Sequence, residues 1–393
     1  MHFLACEDSM FKTFFKVGLP LALCWATGVA AELAPEPIPS VATLPKTYPD
    51  TWLFAHDANF HSLIAGKVVI VDVAADSQEV KGMIDAAQMA TFAESKHQPV
   101  LFVAESFYAR NTRGERTDVV TVYDKSSLKV IDEILLPNTN RGQTVTNKNA
   151  MQLIDDDKFL LIYGFTPAQS IIVIDTKTRE VVNDVSIAGC ALAFPVGQRG
   201  FMSLCSNGAM LSVQLDEKGQ EISRKQHEPF FNVDQDPLFD KAVFDDTTAY
   251  FISYQGKIQP IDISGEEPKV LPGWSLVNEA EQGDNWRPGG WQISALDKQG
   301  HLYVVMHENG YDGSHKFGGE TIWKFDVKSQ TKVAQLSLKD NAFSIEVTHS
   351  KTPYLAVTNV NMGLDVYSVE GKFQRYINVS DTAMPIILHA GKH

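Results

Sequence analysis

Cysteine is scarce in this chain: four residues in 393, at Cys6, Cys24, Cys190 and Cys205. None stands in a Cys-x-x-Cys pair, so a zinc ribbon or a thioredoxin-like redox motif is not indicated. No apolar run approaches the ~18 residues that span a bilayer. No cluster of Lys or Arg interrupts an acidic excess of 48 to 34, which leaves a formal charge of -14. That balance argues against a nucleic-acid partner, because neutralising phosphates takes a basic face. The Gly-x-Ser-x-Gly elbow, the Gly-Lys-Ser/Thr phosphate loop and the His-Glu-x-x-His helix are missing too. The histidines are scattered without metal-ligand spacing, and they read as individually hydrogen-bonded side chains.

The N-terminus carries the first positive signal. Lys12 and Lys16 precede an apolar run over 17–23, and Val29-Ala30-Ala31 offers the small residues at which a secretory signal is cut. Cys24 raises a lipoprotein reading, but Leu23 before it is bulky, so cleavage after Ala31 ranks first. Met10-Phe11-Lys12 begins a normal signal by itself, which leaves Met1 and Met10 as alternative starts. Residues 1–31 are thus expected to be a signal peptide and 32–50 an extended, Pro-rich arm. Residues 51–393 are expected to be the folded body, exported without a membrane anchor.

What fills that body is a repeated unit. Ile171-Ile172-Val173-Ile174-Asp175 shows its form: a β-branched run, an Asp at its exit, a short polar turn, then a second strand. Cognate exits stand at Asp72, Asp124, Asp175, Asp216, Asp262, Asp326 and Ser368. Each has an apolar strand upstream, at 52–55, 100–104, 159–163, 201–205, 250–254, 302–306 and 354–358. Spacings of roughly forty to sixty residues are those of propeller blades. With one further strand per unit, the expectation is an all-β, seven-bladed β-propeller of four-stranded blades. The unpaired run 384–388 would close the ring beside the N-terminal strands and remove two open edges. The alternatives are a β-sandwich or two sheet domains, which would not explain the count.

After export only Cys190 and Cys205 remain, on two successive strand-like segments joined near Pro195-Gly197. They are expected to form a disulfide across one hairpin, worth about 3 kcal/mol for a loop of this length. Asp155-Asp156-Asp157-Lys158 looks like part of a calcium loop, but it lacks the Gly and distal Glu and reads as a hairpin turn. The excursion from His307 to Gly313 reads as an interaction loop. Two further segments interrupt the repeat: Arg110-Asn111-Thr112-Arg113-Gly114-Glu115-Arg116-Thr117-Asp118, and Asn285-Trp286-Arg287-Pro288-Gly289-Gly290-Trp291-Gln292. The first reads as a charge network that orders a loop. The tryptophans of the second either mark an interface or plug the space between blades.

These two segments carry a resemblance. Arg113-Gly114-Glu115-Arg116-Thr117-Asp118, taken with Trp286-Arg287-Pro288-Gly289-Gly290-Trp291, resembles the heavy subunit of the tryptophan tryptophylquinone amine dehydrogenases. The likeness covers nearly the whole mature chain. It extends to Cys190 and Cys205, Asp236-Pro237-Leu238-Phe239, Pro272-Gly273-Trp274-Ser275-Leu276 and Gly313-Ser314-His315-Lys316-Phe317. The last three segments resemble the aromatic amine branch more than the methylamine branch.

The resemblance implies a periplasmic propeller paired with a small disulfide-rich light chain in a two-plus-two heterotetramer. The quinone cofactor and the catalytic base would belong to the light chain, so this chain would carry neither a catalytic residue nor a metal. Electrons would leave through an azurin- or amicyanin-like copper protein. Arg113, Arg116, Trp286, Arg287, Trp291 and His315 become light-chain interface candidates. Where the methylamine branch has a Phe near the substrate channel, Gly82-Met83-Ile84-Asp85 is followed here by Ala86-Ala87-Gln88. Gln88 is therefore a candidate channel residue that leaves room for an aromatic amine. Two other classes stay open: a stand-alone exported binding module, and a self-sufficient propeller enzyme such as a lactonase or a pyrroloquinoline quinone dehydrogenase.

Overall fold

A computed structural model describes residues 42–136, 140–142, 146–380 and 383–391. The expected signal peptide, the alternative starts and most of the N-terminal arm lie outside the described residues. Residues 43–393 form one compact unit. Its packing begins at Leu44, whose N–H donates to the Ser126 carbonyl at 2.8 Å, and continues at Tyr48, whose buried ring lies 5.2 Å from Trp52 and whose hydroxyl donates to the Lys125 carbonyl at 2.6 Å.

The strands follow from the apolar runs, which are buried on both sides. Along Val100–Arg110, Val100, Phe102 and Ala104 enter one cluster with Leu160 and Ile172, while Leu101 and Val103 enter another with Phe54 and Phe92. Ile171 and Val173 likewise separate from Ile172 and Ile174. Continuous rather than alternating hydrophobicity is the consequence of sheets stacked face to face. Each such side chain contributes roughly 1.5–3 kcal/mol of burial.

Seven separate four-stranded blades are not what the hydrogen bonding gives, and the expectation is corrected here. There are six sheets among the described residues: three of four strands, two of five, and one of eight. Five stand alone as blade-sized sheets. The eight-stranded sheet takes in the last two repeats, because Thr331–Val347 runs seventeen residues from pairing with Gly319–Asp326 into pairing with Tyr354–Asn359. That strand contains neither Gly nor Pro to break it. The five-stranded sheets arise where a strand position is split into two short pieces. Asn140–Arg141 and Met151–Ile154, for example, both pair with Phe159–Thr166.

The C-terminal strand Pro385–Ala390 pairs antiparallel with Trp52–Asp57, from Leu53 opposite Ala390 to Asp57 opposite Pro385. All seven exit positions cap their turns. Asp72, Asp124, Asp175, Asp216, Asp262 and Asp326 each accept a backbone N–H within the following four residues through a side-chain oxygen, and the Ser368 hydroxyl does the same for Glu370 and Lys372. Asp155 to Lys158 is a turn as expected, with the Asp157 carboxylate accepting from Ser95, Lys96 and His97 of the preceding repeat. Cys190 and Cys205 stand opposite each other in register and are joined as a disulfide.

Four strand positions per repeat return the chain to the side on which it started. The capped turns therefore gather on one face of the molecule and the long connections on the other. This second, loop-bearing face holds every candidate residue named from the sequence apart from the buried Trp286.

Candidate functional site

The first group on the loop face is built on the hairpin of Val100–Arg110 and Arg113–Asp124, with arms of 11 and 12 residues. Its tip exposes Phe107, Arg110 and Arg113. Nearer the body the charges are tied together. Arg116 donates from Nε to Asp118 Oδ1 at 2.9 Å and from Nη2 to the Arg141 carbonyl at 2.6 Å. The Asp118 carboxylate is buried and accepts further bonds from the Arg141 N–H at 2.8 Å and from the Ser106 hydroxyl. Arg141 Nη2 in turn donates to the Met89 carbonyl at 2.9 Å. Burial of that guanidinium lowers its pKa to about 10.

Gln88 sits beside this network. It opens the innermost strand Gln88–Glu94 opposite Ser106, one residue before Met89, whose φ of 58° bulges the strand. Its Oε1 is buried and has no hydrogen-bond partner among the described residues. Glu105 braces the same bend from below: it accepts the Ala87 N–H at 2.7 Å and the Thr121 hydroxyl, and burial raises its pKa. Gln88 is thus half-buried and held by its backbone.

The second group comes from the 285–292 and 307–317 segments. Trp286 is not on the surface: it is 8% exposed, with its ring 4.9 Å from Trp323 in the core cluster that also holds Ile293 and Met306. Arg287 lies over the Tyr254 ring at 5.3 Å, and His315 packs on the same ring at 5.2 Å and on Phe239 at 5.8 Å. The Gly290 N–H donates to the His315 carbonyl at 2.7 Å, which joins the two segments. Trp291 reaches across to the Thr146 carbonyl through Nε1 at 3.3 Å, with Lys241 over its face at 4.3 Å. Tyr311 and Phe317 beside them are 60% and 65% exposed.

The structure thus brings Arg287, Trp291 and His315 into one aromatic and cationic patch, and Gln88 and Arg116 to the same Arg141 network, while Arg113 stands apart at the hairpin tip. Sequence reading missed Tyr254, Phe239, Lys241, Glu105 and Arg141. Glu105 alone left a signal, as a carboxylate directly after the apolar run 100–104. Among the described residues no group of three His, Cys, Asp or Glu is placed to hold a metal ion.

Residues 53–390 match the family model of the methylamine dehydrogenase heavy chain. The chain belongs to that family. It is an amine dehydrogenase heavy chain, similar to the methylamine dehydrogenase heavy chain of Methylophilus methylotrophus, at 25% identity over 338 residues covering 85% of this chain and 82% of that one. The methylamine dehydrogenase heavy chain of Methylobacillus flagellatus is 26% identical over 276 residues, covering 70% of this heavy chain and 68% of its own. Among solved structures, a putative 6-phosphogluconolactonase from Bacteroides fragilis superposes with a TM-score of 0.59 at 10% identity, covering 90% of this chain and 99% of that one. The dihydro-heme d1 dehydrogenase NirN superposes at 0.53 with 14% identity, covering 87% and 66%. At such identities these two show the fold alone.

Proposed function

We propose that this heavy chain is the scaffold subunit of a periplasmic quinoprotein amine dehydrogenase that deaminates primary, aromatic amines to aldehyde and ammonia. The family match over 53–390 carries the reading. A tryptophan tryptophylquinone would supply an electrophilic carbonyl for the amine. This chain's own residues do not fit that group: the contacting tryptophans are Trp286 and Trp323, at 8% and 0% exposure, with Lys332 over the second ring. A quinone formed there would be out of reach of an amine. The cofactor is accordingly assigned to a small disulfide-rich light chain in a two-plus-two assembly, with an azurin- or amicyanin-like copper protein taking the electrons. What this chain contributes is a docking face: the exposed tip with Arg113, the Arg116 network, and the Arg287, Trp291 and His315 patch with its protruding aromatics.

Gln88 gives the substrate preference. A side chain smaller than Phe, at a bulge braced by Arg141 and Glu105, leaves the entrance open to an aralkyl amine. A methylamine preference is the second reading, favoured by the names of the curated relatives. Purification from the periplasm tests the whole: a small subunit with quinone absorbance and amine-dependent dye reduction should accompany the chain, and the chain alone should be inactive. A lone, uncoloured monomer would refute it. In the intact enzyme, Gln88→Phe is expected to lower kcat/KM for phenethylamine about tenfold relative to methylamine, close to 1.4 kcal/mol. An unchanged ratio would remove Gln88 from the entrance.

A further inference from the structure

Where the innermost strands meet, the chain encloses a cavity of about 430 Å³. Its middle is apolar, with Phe92, Leu153, Phe244 and Ile387 contributed by strands far apart in sequence. The exposed Asp245 and Asp246 line it too, as do Lys148, Lys241, Gln292 and Ser294. A volume of this size and an apolar wall with a few convergent polar groups are what small-molecule sites have in common.

Most of the wall's polar groups are already engaged. Glu346 binds Lys148 and accepts from Gln292 Nε2 at 3.2 Å. Glu94 pairs with Lys125 at 2.8 Å, and Asp245 accepts the N–H groups of Thr247 and Thr248 and the Tyr250 hydroxyl. Lys241 and Ser294 are not among the engaged groups. Lys241 makes no ion pair or hydrogen bond among the described residues: its ammonium rests on the Trp291 face at 4.3 Å, and burial lowers its pKa. Ser294 is 2% exposed, and its buried hydroxyl has no hydrogen-bond partner among the described residues. A desolvated ammonium and a free hydroxyl donor together call for an anionic acceptor, which forms charge-assisted hydrogen bonds with both. The lining carboxylates of Asp245 and Asp246 disfavour more than one negative charge on the ligand.

We propose that this cavity binds a small monocarboxylate with an apolar body, the carboxylate meeting Lys241 and Ser294 and the body lying against Phe244 and Ile387. The proposal does not rest on the amine dehydrogenase reading, since the full mature chain alone is tested. Benzoate and its neutral analogue benzyl alcohol are titrated by calorimetry and by thermal denaturation. Benzoate is expected to saturate one site and to raise Tm progressively with concentration. Benzyl alcohol should bind at least about tenfold more weakly. Lys241→Met should lose benzoate affinity by at least about tenfold, and Ser294→Ala by a few-fold, with Tm in the absence of ligand close to that of the unaltered chain. Absence of saturation up to about 20 mM benzoate, equal binding of benzyl alcohol, or unaltered benzoate affinity in Lys241→Met would overturn the proposal. Should Lys241→Met fail to fold, the comparison of benzoate with benzyl alcohol on the unaltered chain decides it.

Discussion

Replacing Asp118 by Ala strikes the point on which the projecting hairpin is anchored. The Asp118 side chain has 0% exposure and receives Arg116 Nε at 2.9 Å, the Arg141 N–H at 2.8 Å and the Ser106 hydroxyl. Truncation leaves three donors without an acceptor and two guanidinium groups facing each other without their shared anion. Removing one partner of a buried pair costs about 3–5 kcal/mol. Arg116 keeps 21% exposure and its bond to the Arg141 carbonyl at 2.6 Å, which places the expected loss at the lower end, about 3 kcal/mol. Asp118→Asn retains the shape and one acceptor, and should cost about 1–2 kcal/mol. Equilibrium urea unfolding of the mature chain, followed by tryptophan fluorescence, reads both. In a cycle with Arg116→Met the two losses should not add, because the residues share one network. A loss below about 1 kcal/mol for Asp118→Ala, or simple additivity in the cycle, would refute the anchoring argument.

Two further outcomes concern the turns and the closure. Bonds within their own turns lower the pKa of Asp124, Asp216, Asp262 and Asp326, that of Asp124 to about 2 through Ser126 and Ser127. A depressed carboxylate stabilises the fold above its unfolded pKa of about 4 and loses that contribution as pH falls through the folded value. The urea midpoint should therefore drop between about pH 4 and pH 2, and Asp124→Asn should flatten the drop; an identical pH profile in the variant would contradict this. In the closing strand, Leu388 is fully buried and its N–H donates to Gln292 Oε1 at 2.8 Å. Leu388→Ala should cost about 2–5 kcal/mol, and removal of 385–393, which unpairs 52–57, should give aggregated protein by size exclusion. A monomeric, cooperatively unfolding truncation would show that the closure does not hold the sheets together.

Several features could be read before any coordinates because their cause is local. An Asp at a strand exit caps the turn that follows it, so Asp72 through Asp326 announce the repeat one turn at a time. Cys190 and Cys205 share a hairpin, and proximity along the chain puts them in register. Trp286 and Trp291 were not separable in this way. Both flank the same Arg-Pro-Gly-Gly turn, yet one packs on Trp323 and the other bridges to Thr146, and those partners lie 37 and 145 residues away. Lys241 and Ser294 gave no warning either, since an uncommitted lysine is recognised only once every neighbour has been placed.

The order of strands, the turn chemistry, the two-sided burial and the pairing of the cysteines were determined by the sequence alone, through propensities and spacings that act over a few residues. The number of separate sheets was decided in three dimensions, where Thr331–Val347 could pair along its whole length and merge two repeats that the spacing had kept apart. Tertiary structure also decided which charges stay exposed, which are locked together around Asp118, and which line the cavity. Hydrogen-bond partners of a buried group come from whichever strands pack beside it, and that neighbourhood is a property of the whole stack.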